Sequence, residues 1–108
     1  MSPAEARVFD ARFDSLYKKT LYPVVWRSGT FIRSRFEGDF EKWTLTISSR
    51  DWQLRDEAGR KDLVATIWTA YRATREQAGG DPDAAILIIE DEHGNILAEA
   101  SPTTLTLH

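Results

Sequence analysis

Two spacings of apolar residues alternate along the chain. Val8, Phe9, Phe13, Leu16, Tyr17 and Leu21 recur at steps of three and four, which predicts a helix with one buried stripe. Ser2-Pro3-Ala4-Glu5 supplies an N-cap serine, a proline suited to the first helical position and a glutamate placed for a capping box. Pro23 is expected to end this helix, since a proline inside one removes a hydrogen bond and crowds the preceding turn. After the linker 24–29 the step shortens to two, and residues 30–36 and 40–48 read as strands joined at Glu37-Gly38-Asp39. In the second of these strands Trp43, Leu45 and Ile47 share one face, while Lys42, Thr44 and Thr46 share the other. Strict alternation in the first strand groups Ile32, Ser34 and Phe36, and leaves Phe31, Arg33 and Arg35 opposite.

The pattern then repeats in outline. Residues 48–54 form a turn expected to return Trp52 and Leu54 to the core, and Leu63, Val64, Ile67, Trp68 and Tyr71 mark a second helix over about 56–77. Gly79-Gly80-Asp81-Pro82 stops it. Residues 84–90 and 95–100 make a second hairpin, and the tail 102–108 is either an edge strand or a frayed end. These elements predict one α+β domain over residues 1–108, ordered α-β-β-α-β-β. Its antiparallel sheet has about four strands, with both helices packed on one face.

Candidate chemistry changes this picture little. The segment Glu90-Asp91-Glu92-His93-Gly94 concentrates three acids and a histidine, but neighbouring strand residues point to opposite faces, and the spacing misses the calcium-loop pattern. Polar residues and a glycine between Ile88-Ile89 and Ile96-Leu97 suit a hairpin tip instead. The chain has no cysteine, which excludes disulfides, thiolate nucleophiles and cysteine-held metals. Gly79-Gly80 follows a helix rather than opening one, so it is not a phosphate loop. No nucleophile, base and orienting group fall together, and the expectation is a non-enzymatic protein with no cofactor and no metal, the remaining enzyme reading being acid–base chemistry by Asp or Glu carboxylates brought together from separate elements.

Composition adds a hint about partners. A net charge of -3 weighs against a general nucleic-acid binder. The absence of an apolar leader or spanning stretch suggests a small cytoplasmic protein without membrane insertion. Trp43, Trp52 and Trp68 fit inward stripes, whereas Tyr22, Trp26 and Phe31 do not, and Arg27, Arg33 and Arg35 stand nearby in sequence. Aromatic residues with arginines are frequent anchors of protein interfaces. The expected function is therefore a protein-interaction module of regulatory, accessory or immunity type. It would bind a protein partner or a second copy of itself through Tyr22, Trp26, Arg27, Phe31, Arg33 and Arg35. The alternative is a small-ligand or nucleic-acid binder using a basic sheet face of Arg27, Arg33, Arg35 and Lys42, with the Phe31 ring between them for stacking.

Overall fold

The computed structural model of the chain describes residues 2–26, 29–38 and 40–108. The Ser2 hydroxyl accepts the Glu5 backbone N–H at 3.2 Å and caps α1 (Pro3–Leu16). Contrary to expectation, the helix does not stop at Pro23. It widens into a π-helical turn, Tyr17–Leu21, and continues as α2 (Tyr22–Trp26). In that turn the Tyr22 N–H donates to the Tyr17 carbonyl, five residues back. A regular α-turn would press the Pro23 ring against the Lys19 carbonyl, and the wider turn relieves this crowding. It also keeps the stripe on the core. Phe9, Phe13, Leu21 and Val25 are buried and Tyr17 is half-buried. Each four-residue step overruns a 3.6-residue turn by about 40°, and the π-turn takes back part of that drift. Val8, expected in the stripe, is half exposed instead.

Five strands form one sheet: β1 (Phe31–Glu37), β2 (Lys42–Ile47), β3 (Ile86–Glu90), β4 (Ile96–Ala100) and β5 (Leu105–Leu107), in that spatial order. The expected antiparallel sheet of about four strands is corrected in two respects. The tail supplies a fifth strand against β4, and β2 runs parallel to β3. A helical connection between β2 and β3 carries the chain back along the sheet, so β3 sets off in the same direction as β2. That connection consists of a short helix, α3 (Ser49–Gln53), where only a turn was expected, and the long α4 (Glu57–Gln77); Trp52 is buried as expected, whereas Leu54, just past the end of α3, is exposed rather than core.

Both long helices lie on one face of the sheet. Phe13 of α1 and Tyr71 of α4 meet Phe36 at ring distances of 5.4 and 6.2 Å, and Tyr71 meets Trp43 at 5.3 Å. Trp43, Leu45, Ile47, Leu87, Ile89, Ala98 and Ala100 complete this core from β2, β3 and β4. Phe31 belongs to it as well, which corrects the expected alternation of β1. Phe31 opposes Ile47 and Arg33 opposes Thr46, so Ile32 is an extra residue in a β-bulge. One added residue inverts the parity upstream of it, turning Phe31 inward and leaving Ile32 exposed.

Candidate functional site

The outward side chains of the sheet form a continuous face that neither long helix covers. Across the register, Arg35 opposes Thr44, Thr44 opposes Ile88, Ile88 opposes Glu99, and Glu99 opposes Thr106. A second row runs Arg33, Thr46, Glu90, Ile96, and a third Glu37, Lys42, Ile86. Ile86 and Ile96 are 43% and 45% exposed, and Ile88 is half-buried between them. Aliphatic residues so aligned on an open sheet face make an apolar strip of the kind that marks contact surfaces. Arg33, Arg35 and Lys42 stand on β1 and β2 with one acid, Glu37, among them, and Glu90 and Glu99 stand on β3 and β4 beside the isoleucines.

One ion pair organises the middle of this face. Arg35 Nη1 donates to Glu90 Oε1 at 2.8 Å, and Thr46 Oγ1 donates to the same oxygen at 3.2 Å. Arg35 stands on β1 and Glu90 on β3, so the pair spans β2, and Thr44 and Thr46 beneath it are buried with no helix above them. The Arg35 hydrogen bond holds the Glu90 carboxyl below the usual carboxylate range, against the opposing effect of its burial. Arg35 also meets Glu37 at 3.4 Å, and Glu37 meets Lys42 at 3.7 Å. Arg33 has no ion pair among the described residues. Among the described residues Glu99 meets only His108, at 3.6 Å, which offsets its charge only when the imidazole is protonated.

The six residues singled out in the sequence are not brought together. Arg33 and Arg35 lie on the open face, as their alternation predicts. Phe31 is core. Trp26 is half-buried at the end of α2, where its Nε1 donates to the Tyr17 hydroxyl at 3.2 Å. Tyr22 is exposed and packs edge-to-face on Tyr17 at 6.4 Å. Arg27 lies outside the described residues. Sequence reasoning missed Ile86, Ile88, Ile96 and Glu99. Ile86-Leu87-Ile88-Ile89 is apolar on both faces, so its periodicity hides the outward pair, although Glu99 between Ala98 and Ala100 is a legible outward position.

The acidic segment divides its side chains three ways. Glu90 serves the sheet face, and Asp91 accepts the backbone N–H groups of His93 and Asn95 and the Asn95 amide at 2.8–3.0 Å. Glu92 accepts the Ser49 N–H and hydroxyl, both at 2.7 Å, and so ties the β3–β4 hairpin to α3. Bonds from Asn95 to Asp91 and from Ser49 to Glu92 lower both carboxyls from their ordinary values. The segment is the hairpin tip it was expected to be, with Gly94 at φ +83°. Among the described residues, no three His, Cys, Asp or Glu side chains gather as metal ligands would. No helix among them is long and apolar enough to cross a membrane. Comparison of the chain with protein-family models, curated proteins and solved structures finds no match in any of the three. Function must therefore be argued from the geometry.

Proposed function

We propose that this domain is a protein-interaction module that works by binding rather than catalysis, and that it docks through the open face of its sheet. The observation that carries the proposal is the set of outward isoleucines Ile86, Ile88 and Ile96, which share β3 and β4 with Glu90 and Glu99 and border the cations of β1 and β2. An aliphatic centre with a charged rim is the usual anatomy of a protein contact. This moves the expected site. Arg33 and Arg35 keep their place in it, Phe31 drops out as core, and Tyr22 with Trp26 stand apart on α2. Binding of a nucleic acid or small anion draws less support, because Glu90 and Glu37 engage Arg35, and Glu37 engages Lys42.

A photo-crosslinking amino acid placed at Ile86, at Ile96 and, as a control, at Thr66 on the exposed side of α4 tests this in cells that make the full chain. The expected result is covalent protein adducts from the two sheet positions and none from Thr66. Adducts from Thr66 alone, or from none of the three, would overturn the proposal.

A further inference from the structure

The charge pattern of the open face is complementary to itself under one particular rotation. The row Arg35, Thr44, Ile88, Glu99 places a cation on β1 and an anion on β4, with the parallel seam between β2 and β3 at its midpoint. Adjacent strands stand about 4.8 Å apart, so each charge lies roughly 7 Å from that seam. A two-fold axis running along the seam, in the plane of contact, brings a second sheet face to face with the first and exchanges β1 with β4 and β2 with β3. Arg35 of each copy then faces Glu99 of the other, and Ile88 of each faces Thr44 of the other. The alternative axis, perpendicular to the strands, stacks β1 on β1 and opposes arginine to arginine.

We infer that the partner of this face is a second copy of the chain, joined by the seam-parallel two-fold axis with reciprocal Arg35–Glu99 pairs. The inference rests on the proposal that the open face is the docking surface, and it adds the identity of the occupant. Arg33, which has no ion pair among the described residues, and Glu99, which meets only the His108 imidazole among them, leave charge of both signs for the partner to meet. Self-complementarity is what an isologous interface requires. Size limits its strength. Five strands about 4.8 Å apart and about five residues long give a footprint of roughly 400 Å² per copy. Twice that is below the ~1,200 Å² at which stable specific interfaces begin, so the dimer is a transient one.

Sedimentation velocity from about 1 µM to about 1 mM, the range a small interface requires, tests the inference on the full chain. The expected result is reversible dimerisation. Glu99→Arg should raise the dimer Kd by about a hundredfold or more through like-charge opposition, and Ile86→Lys, which faces Lys42 of the other copy, should also weaken it. Thr66→Arg should leave it unchanged. Ile86 is exposed and the Glu99 side chain is 47% exposed, and thermal melting of both variants separates loss of folding from loss of the dimer. Mixing Glu99→Arg with Arg35→Glu should restore a heterodimer, once thermal melting shows the latter folded. A wild-type chain that stays monomeric to about 1 mM overturns the second copy as partner and leaves the docking face itself standing. A dimer that is indifferent to the sheet substitutions but lost on Thr66→Arg overturns both. Failure of the folded charge-swapped pair to associate overturns the Arg35–Glu99 pairing.

Discussion

At the scale of single residues, the open face owes its order to Glu90. Its carboxyl is held low chiefly by the Arg35 hydrogen bond, so it binds its proton less readily in the folded chain than in the unfolded one. The resulting stabilisation is complete above the ordinary glutamate range and fades as pH falls through the lowered folded value. Glu90→Gln should therefore flatten the acid limb of stability below about pH 5. At neutral pH it should cost under about 1 kcal/mol, because the Arg35 side chain is more than half exposed. Urea unfolding of both proteins between about pH 7 and pH 3 checks this, and parallel pH profiles would count against the role given to Glu90. Part of this environment was legible in the sequence: alternation alone put Arg33, Arg35, Lys42, Thr44 and Thr46 on one face. Glu90 was not legible, because its partner is 55 residues away and two strands over. Phe31 was misplaced for a related reason, since a bulge is a property of two paired strands and leaves no mark in the one that carries it.

At the scale of elements, the first helix is the clearest departure from local rules. Proline ends most helices, yet here the segment after Pro23 remains helical and buries Val25. Packing decides the outcome, because Leu21 and Val25 continue the stripe of Phe9 and Phe13 at four-residue steps. Had the helix ended at Pro23, Val25 would belong to a surface linker and its truncation would cost little. Val25→Ala should instead cost about 2 kcal/mol for the two buried methyl groups lost. Val24→Ala, at a half-exposed position, should stay within about 0.5 kcal/mol. Equal effects in chemical denaturation would contradict the continuous helix. The parallel seam, by contrast, had a legible signal. A helix of 21 residues between the second and third strands is long enough for a crossover, whereas antiparallel neighbours can be joined by a short turn.

At the scale of the whole molecule, β2 and β3 each have a strand on both sides, and the core packs against their inner face. Hydrogen–deuterium exchange should accordingly be slowest in 43–47 and 87–89 and fastest in the three-residue edge strand β5, with β1 between them. Slow exchange in β5 would be at odds with this sheet order. The other edge, β1, is seven residues long, enough to template a further strand from another chain. The bulge at Ile32 bears on that hazard. An unpaired extra residue bends and overtwists the strand that carries it, so the outer row of backbone donors and acceptors is not the flat ladder an incoming strand needs. The same insertion that turns Phe31 into the core thus serves as a safeguard against fibrous assembly. It makes the edge, where strand-on-strand pairing need never end, a poor place for assembly to start.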